Sequence, residues 1–506
     1  MGEAKRRGKT RQLEVAKSIG VQTAGGRIQV RWDQESAATP FGQMVFFIEF
    51  LMTTGLWSSW VEEFPLEYRS PNGSNKRDIL GTWLLSILSG HRRYSHITMI
   101  RSDGVNPGLL GMRDVVSEDT LRRALQTIEE DSGIQWMQRH IDKSVMALIN
   151  APWILDADVT VKPLYGKQEG AEVGYNPKKP GRPSHAYHSY QMAGLRLVLG
   201  VDVEAGNHSH SNYTMPGLMK ILDKLPEEKQ PYLVRGDAGL GSDDMLKALE
   251  HRGRHYLFKL RRTANVQKYI ERVFWNKGWQ DAGQGWEGRE GELRLSGWLK
   301  SRRVIVMRRL LKGEIAVTDD QQMIIGFAET ERPIKKYEYA VLVTDLPHEV
   351  LTIAQLYRDR ADSENAFDEL KNQWGWGGFT TQDLKRCRLT AMAVALVYNW
   401  WSLFVRLANP KARLEAITSR PFLLSGVARR TMHSGQQHLS ITSLHGGAQE
   451  AQGMLSRVSS MLNKWKVAAE QLPLKSVWQR VCEHIITTVT GFRLQTKLLA
   501  PLQSGG

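Results

Sequence analysis

Hydrophobic positions recur at helical spacing from about residue 31 to about residue 150, behind a basic segment over 1–30 for which we expect a flexible tail. The most apolar run, residues 44–57, contains Glu49 and is too short to cross a bilayer, so it predicts a buried core helix. The first 150 residues therefore favour a helical domain over 31–150.

Short apolar runs, which are typical of strands, replace the helical spacing from about residue 151. Strands are predicted over 153–161, 195–203, 232–235, 255–260 and 339–344, with a glycine- and proline-rich loop over 166–184. Helices are predicted over 245–251 and about 349–373, and the chain after about 373 is predicted to be helical to about 500. This order predicts an α/β fold. Its core would span 151–261 and 336–400, around a β-rich insertion over 262–335 and ahead of a helical C-terminal region over 401–506.

The charge balance indicates the class of partner. The chain carries 68 basic against 53 acidic residues, a net charge of +15, with a pI near 9.6. Such an excess attracts polyanions, and nucleic acid is the commonest of these. A membrane surface is the weaker alternative, because the basic residues do not gather on one amphipathic helix. We therefore expect a nucleic-acid partner and no membrane.

Cysteine usage and the N-terminal sequence predict the compartment. Cys387 and Cys482 are the only cysteines, far apart in segments of helical pattern, which disfavours a disulfide framework and a cysteine zinc site. The basic N-terminus is followed by no apolar stretch of signal-peptide length. We expect a cytoplasmic protein of a bacterial cell, associated with the nucleoid.

A basic helix follows a cap signal in the N-terminal region. Ser117 precedes two acidic residues, which predicts a helix start, and Arg122 and Arg123 then supply a basic face. A further basic segment lies over 91–94. A small DNA-binding domain, of helix-turn-helix kind, fits this pattern, and so does a helical scaffold with a solvated basic face.

Three acidic residues lie where strand ends and a helix can bring them together. Asp158 follows the apolar part of one strand, Asp237 ends another beside glycines, and Glu364 lies on the following helix. Hard oxygen ligands suit Mg²⁺ or Mn²⁺. Two such ions about 3.5–4 Å apart promote in-line phosphoryl displacement. Asp156 shares the strand face of Asp158, because side chains alternate along a strand.

The helix around Glu364 carries a narrow polar stripe. Tyr357, Arg360, Glu364 and Lys371 point to about 0°, −60°, −20° and −40° at roughly 100° per residue. A metal-binding carboxylate flanked by phosphate-binding cations would give this stripe. An ordinary pair of charges four residues apart would give it as well. Asp368 lies near the same face and stays open as an alternative ligand.

These motifs resemble those of a known family. The spacing Tyr-x2-Arg-x3-Glu-x6-Lys matches the signature of insertion-sequence transposases with an Asp-Asp-Glu triad, and residues 158–160 and 235–239 look like the two aspartate motifs. Residues 165–171, 174–177 and 180–183 are similar to the insertion sequence thirteen-eighty branch. The resemblance covers about residues 85–400.

The resemblance implies a fold and an activity. It implies a ribonuclease-H-like core with a β-rich insertion in the 127-residue interval between Asp237 and Glu364. It implies that Asp158, Asp237 and Glu364 hold two Mg²⁺ or Mn²⁺ ions, and it favours Asp158 over Asp156. Tyr357, Arg360 and Lys371 would contact the DNA backbone or a DNA hairpin. Cut-and-paste movement from inverted repeats follows from it, with release of the element through a DNA hairpin as a common variant.

Two further sets of residues are candidates for DNA contact. Lys178, Lys179 and Arg182 lie on the glycine- and proline-rich loop, where either solvation or phosphate contact explains them. Relatives with this signature often flip a base against an aromatic side chain. Core packing competes with that role at each of the four tryptophans of the insertion: Trp275, Trp279, Trp286 and Trp298.

The function that these signals favour is a DNA transposase that acts on its element's terminal inverted repeats and on target DNA. Because a transposase must hold two ends together, we expect a homodimer on DNA. A nuclease of the same fold without strand transfer, and a non-catalytic DNA-binding regulator derived from a transposase, remain alternatives. A glycosidase with paired carboxylates is chemically possible. The basic charge favours phosphate over sugar.

Overall fold

A computed structural model describes residues 18–33, 36–68, 73–150, 152–174, 176, 179–208, 210–311, 336–444, 446–471 and 475–490. Within these residues, the N-terminal third holds a short hairpin, a third strand, six α-helices and a 3-10 helix over Tyr94–Ser102. The strands and α-helices are β1 (Ile19–Thr23), β2 (Gly26–Val30), β3 (Ala37–Thr39), α1 (Met44–Thr53), α2 (Leu56–Glu62), α3 (Lys76–Leu88), α4 (Asn106–Leu109), α5 (Glu118–Thr127) and α6 (Glu130–Val145).

The middle of the chain alternates strands and helices. Its elements are β4 (Ile154–Pro163), β5 (Glu172–Val173), β6 (Pro183–Met192), β7 (Leu197–Ala205), α7 (His210–Lys224), β8 (Leu233–Gly236), α8 (Asp243–His251), β9 (His255–Lys259), α9 (Ala264–Phe274), β10 (Gln280–Gly283), β11 (Trp286–Leu293), β12 (Arg302–Leu310), β13 (Tyr337–Thr344), α10 (Val350–Arg358) and α11 (Ala361–Asn372). The last part holds α12 (Leu384–Ala408), α13 (Ala416–Leu423), β14 (Ala428–His433), β15 (Gln436–Ile441), α14 (Ala448–Gln471) and α15 (Val477–Ile485).

One ten-stranded sheet organises the middle of the chain, which makes the fold mixed α/β. Its strands run in the order β10-β11-β12-β13-β9-β8-β4-β6, and β5 and β7 both pair with β6. Strands β4, β8 and β9 are parallel to one another, whereas the other pairs are antiparallel. Strands β10 to β12 lie in the segment expected to be a β-rich insertion, and they extend this sheet rather than forming a separate one.

Strand β6 is absent from the sequence-based prediction, although it lies at the centre of the antiparallel part of the sheet. Its polar side chains, among them His185, His188 and Gln191, are completely buried between β4 and β7. Strand prediction depends on apolar or alternating positions. A buried polar strand therefore gives no such signal.

The helix predicted over about 349–373 is two helices. Arg360 donates its backbone N–H to the carbonyl of Tyr357 over 3.1 Å, three residues back rather than four, and helix α11 restarts at Ala361. Residues 359 and 360 form a tight turn. Helical periodicity continues across such a turn, so the break leaves no mark on the hydrophobic pattern.

Exposed hairpins lie at two other places, where a tail and a helical region are predicted. Residues 19–30, expected to be part of a flexible tail, pair as β1 and β2 around Gly26, whose φ of +107° suits glycine. In the C-terminal region, expected to be helical, β14 and β15 pair around a turn with positive φ at Ser434 and Gly435, and β14 also pairs with β3. Both hairpins are largely exposed. In the first, Ile19 and Val21 pair with Val30 and Ile28 on one face, an alternating pattern that the sequence-based prediction of a tail did not use.

The helical segments at both ends share one hydrophobic core. The run over 44–57 is buried, as predicted, but Gly55 with φ +72° divides it into α1 and α2. Trp60 stacks on Trp136 at 5.6 Å and meets Trp400 of α12 edge-on at 5.5 Å. Helix α12 is long and apolar enough to span a membrane, as are α1 and α2 together with a 70° bend, and the apolar window of α12 lies wholly inside the fold.

Candidate active site

Strand β4 carries two aspartates with different surroundings. Asp156 is completely buried and accepts two hydrogen bonds from Arg235 of β8, at 2.7 and 2.8 Å. The hydroxyl of Ser363 also donates to it. A buried carboxylate with all its partners inside the protein is a structural group. Asp158, two residues further along the same face, is not part of this network.

Asp158 and Asp237 end up side by side because β4 and β8 are parallel. Ala157 pairs with Gly236 in the register of these strands, so the two aspartates follow on neighbouring strands. Neighbouring strands are about 4.8 Å apart. Oδ1 of Asp237 accepts the backbone N–H of Gly239 over 2.8 Å, which fixes the start of the following turn.

Arg360 brings Glu364 to the same place. Its Nη2 lies 2.8 Å from Oδ2 of Asp158, and its Nη1 donates to Oε1 of Glu364 over 2.6 Å. Only 5% of the Arg360 side chain is exposed, against 60% of Glu364. The guanidinium thus connects a strand carboxylate at the bottom of the site with a helix carboxylate at its open side.

The electrostatics of Asp158 show that the three carboxylates act on one another. Burial raises the pKa of Asp158 to about 7, while the guanidinium of Arg360 lowers it and the charges of Asp237 and Glu364 raise it again. Burial alone would lower the pKa of Arg360, yet its acidic neighbours, Asp158 foremost, hold that pKa above its ordinary value. The site is therefore rich in negative charge around one fixed cation.

Tyr357 lies close enough to Arg360 and the three carboxylates for their charges to act on its phenol. Burial raises its pKa to about 12; Arg360 opposes the rise, and the negative charges of Asp237, Glu364 and Asp158 add to it. The phenol consequently keeps its proton at neutral pH and can donate a hydrogen bond. Tyr357, Arg360 and the three acidic residues are the sequence-derived candidates that the structure brings together.

Lys371 of α11 is not part of this group, because its side chain reaches a different part of β4. Its ammonium donates to the backbone carbonyl of Val161 over 2.8 Å and lies 3.4 Å from the hydroxyl of Thr160. Two helical turns separate it from Glu364, a rise of about 10 Å. Asp368, the alternative ligand, is exposed and accepts a hydrogen bond from Asn372 over 2.6 Å.

The donor set suits a hard divalent cation. Among the residues that the structure describes, no cluster of three or more His, Cys, Asp or Glu side chains lies in metal-binding geometry. Arg360 lies between two of the carboxylates and supplies the positive charge there. The carboxylate oxygens of Asp158, Asp237 and Glu364 are the ligand type that Mg²⁺ and Mn²⁺ prefer.

A basic cavity of about 620 Å³ begins where β4 ends. We call it the helical-side cavity, because Arg92, Arg93 and Arg122 of the N-terminal region line one wall and residues 163–166 line another. Tyr165 on its rim is 69% exposed. Glu118 is the acidic residue in the lining. The cavity therefore has an excess of positive charge.

The loop cations lie next to this cavity. Lys179 donates to the hydroxyl of Tyr165, and the guanidinium of Arg182 lies 4.8 Å from the centre of the Tyr165 ring. Lys178 lies outside the described residues. Arg123 is exposed on α5 and is not among the residues that line the cavity.

Sequence reasoning missed Arg92, Arg93 and Tyr165 as members of one surface, although it noted the basic segment over 91–94. Their proximity results from contact between distant segments: the N–H of Phe379 donates to the carbonyl of Arg92 over 2.6 Å. The tryptophans of the insertion divide by exposure. Trp298 is buried, Trp279 and Trp286 are covered by arginines, and Trp275 is 72% exposed.

Neither the two cysteines nor His208, which forms a His-x-His sequence with His210, belongs to a metal-binding cluster in the described residues. Cys387 and Cys482 are buried and free, and they lie in helices α12 and α15, as the helical pattern of their segments predicts. His208 stacks on Tyr213 at 3.8 Å and lies 3.5 Å from Glu204. The side chain of His210 is outside the described part of the chain.

Comparison with known proteins identifies the family. The family described as "Transposase DDE domain group 1" matches residues 59–457. Among solved structures, the chain is similar to the piggyBac transposase synaptic complex with hairpin DNA, at a TM-score of 0.38 and 12% identity, over 94% of this chain and 89% of that one. No curated protein matches it. The family match covers most of the chain, so this protein belongs to the transposase DDE domain group 1 family.

Proposed function

We propose that this protein is a cut-and-paste DNA transposase whose Asp158, Asp237 and Glu364 hold two Mg²⁺ or Mn²⁺ ions. The observation that carries the proposal is that Arg360 joins Asp158 of β4 to Glu364 of α11, while Asp237, which follows the parallel neighbour β8, is close enough to raise the pKa of Asp158. Membership of a transposase family supports the same assignment.

The strand order supports a ribonuclease-H-like core. Strands β7, β6 and β4 are antiparallel neighbours, and β8 and β9 continue the sheet parallel to β4. Parallel strands place the residues at their carboxyl ends at one edge, where ligands bind in α/β sheets. We propose that this five-stranded unit is the catalytic core and that β10 to β13 are its extension.

The side chains of the site have separable tasks in this proposal. Bound metal ions would activate a water or 3′-hydroxyl and stabilise the leaving oxygen. Arg360 binds the non-bridging oxygens of the scissile phosphate, for which its planar donors are suited. Tyr357, whose phenol keeps its proton, donates a hydrogen bond to the same phosphate. Lys371 of α11, whose ammonium reaches β4 at Val161, contacts the next part of the DNA backbone.

The helical-side cavity gives the DNA a course away from the site. From Asp158 to Pro163 the strand advances by about 17 Å. That distance corresponds to about five base pairs of duplex at 3.4 Å each. We propose that Arg92, Arg93 and Arg122, with Lys179, Arg182 and Arg123 nearby, hold the backbone of the terminal repeat there.

Variants of the three carboxylates test the proposal. We expect Asp158→Asn, Asp237→Asn and Glu364→Gln to abolish Mg²⁺-dependent cutting of duplexes that carry the inverted repeats flanking the reading frame. Binding of the same duplexes in EDTA should stay within about twofold of wild type. Asp368→Asn is the matched control and should cut normally. Retained cutting by a triad variant would remove that residue from the metal site.

Joining separates transposition from plain hydrolysis. Pre-cut repeat ends and a supercoiled target plasmid should give joined products with the wild-type protein and none with Glu364→Gln. A nuclease without strand transfer would degrade the ends and join nothing. Gel analysis of the excised ends tests whether a hairpin forms. Light scattering with and without DNA tests whether the protein is a homodimer.

We also propose that this activity takes place on nucleoid DNA in the cytoplasm.

A further inference from the structure

A second cavity, of about 610 Å³, opens beside Asp237. We call it the Asp237 cavity. Its walls are the turn after β8, the end of β9, the start of α9 and the face of Tyr339 on β13. Asp237 is the acidic residue among those that line it, whereas Lys259, Arg261 and Arg262 supply positive charge. Such a cavity attracts a polyanion next to a proposed metal ligand.

These three cations differ from the other basic residues of the extended sheet. On β12 the arginines are engaged with carboxylates, as in the pairs of Arg303 with Glu290 at 2.7 Å and Arg308 with Glu287 at 2.8 Å. In the described part of the chain, Lys259, Arg261 and Arg262 have no carboxylate within 4.0 Å. Their charge is therefore available to a ligand.

The local structure holds Arg262 in position without neutralising it. Its Nε donates to the side-chain oxygen of Gln267 over 2.8 Å, and its guanidinium lies 5.6 Å from the centre of the Tyr339 ring. Thr263 caps α9 by accepting the N–H of Val266. Arg261 and Arg262 are both exposed. An arginine oriented by a neutral partner keeps free donors for phosphate oxygens.

We propose that Lys259, Arg261 and Arg262 bind the phosphates of the DNA strand that leaves the active site on the Asp237 side. This rests on the proposed function and extends it, because it assigns residues to a second DNA segment. The helical-side cavity lies at the far end of β4 and the Asp237 cavity lies at the ends of β8 and β9. DNA bound in both would pass over Asp158 and Asp237 between them.

The salt dependence of DNA binding tests this assignment. A plot of log affinity against log salt has a negative slope, and each lost phosphate contact makes that slope less steep by about 0.9 for duplex DNA. We expect the double variant R261A/R262A to make the slope less steep by about two. The measurement uses a labelled repeat-end duplex that continues past the cut, in EDTA. Affinity should fall at least about tenfold. R261K/R262K should keep the slope, since it keeps both charges.

Lys268→Ala is the matched control, because Lys268 is exposed on α9, the helix that begins two residues after Arg262, and is not among the residues that line the cavity. If R261A/R262A and K268A share one slope and one affinity, the assignment is overturned. Thermal unfolding of both variants shows whether the fold is intact. A repeat-end duplex that stops at the cut should lose little affinity in R261A/R262A, and an equal loss on both duplexes also contradicts the proposal.

The outcome is separable from that of the proposed function. Normal cutting by Asp158→Asn would remove the proposed metal site whatever the slope of R261A/R262A. If the carboxylate variants lose cutting while R261A/R262A binds and cuts as wild type, the proposed function stands and only this DNA contact fails.

Discussion

Arg235 and Asp156 form a buried, two-point ion pair, with 1% and 0% of their surfaces exposed. Nη1 of Arg235 donates to the backbone carbonyl of Leu356 near the end of α10, and Ser363 of α11 donates to Asp156. This one pair therefore connects β4 and β8 with both helices around the turn that carries Arg360. It holds the helix carboxylate of the site against the strand carboxylates.

Replacement of Asp156 by alanine should destabilise the protein strongly. It leaves the guanidinium of Arg235 buried without its partner, and breaking such a pair costs about 3–5 kcal/mol. Urea unfolding of wild type and variant measures the difference. A loss below about 1 kcal/mol would contradict a structural role for this pair.

Asp158→Asn is the natural control for that experiment, because it lies two residues away on the same strand face. The amide still offers Arg360 an acceptor, so the free energy of unfolding should change by less than about 1.5 kcal/mol. Cutting should nevertheless disappear. Two neighbouring aspartates would then be separated into one that holds the fold and one that serves the chemistry.

Arg360→Gln should strengthen the binding of divalent cations. Arg360 lies 2.8 Å from Asp158 and 2.6 Å from Glu364, where its charge competes with any cation for the same oxygens. We expect Mn²⁺ affinity, measured by calorimetry without DNA, to rise several-fold, while the rate of cutting falls because the phosphate loses a ligand. Unchanged or weaker Mn²⁺ binding in a folded variant would be inconsistent with a metal site at these carboxylates.

Gly378→Ala should destabilise the junction between the N-terminal region and the segment that follows α11. A Cβ at this glycine would lie 2.1 Å from the carbonyl oxygen of Arg92, so the backbone must move. We expect a loss of roughly 1–3 kcal/mol in unfolding free energy. Gly453→Ala is the matched substitution: nothing lies within 4 Å of its Cβ on α14, and it should stabilise by roughly 0.5–1 kcal/mol.

Lys162 should make stability depend on alkaline pH. Burial lowers its pKa from 10.5 to about 8, so between these values the unfolded chain binds a proton that the folded chain does not. Stability contributed by this group therefore rises with pH from about 8 to 10.5. The Lys162→Met variant should lack this increase in the free energy of unfolding, which amounts to about 3 kcal/mol between pH 8 and 10.5 in the wild type. Denaturant unfolding at several pH values measures it, and parallel curves for the two proteins would refute the assignment.

The sequence alone predicts the strands that are apolar and the helices that are capped. Strands β4, β8, β9 and β13 were placed within a few residues, because their apolar runs report burial on both faces. The acidic residues at strand ends and the net positive charge also come directly from the chain. These features are local, or they are sums over composition, so no knowledge of distant neighbours is needed.

The tertiary structure decided which polar groups meet. In the folded chain, the polar strand β6 is buried and the chain turns at residues 359 and 360. Asp156 pairs with Arg235, and Asp158 pairs with Arg360. The ammonium of Lys371 binds a backbone carbonyl of β4. The tertiary structure also gathered arginines from distant segments around two cavities. The physical reason is that hydrophobic periodicity records only whether a side chain is buried. The partner of a charged group is set by strand register and helix packing, which join residues far apart in the chain.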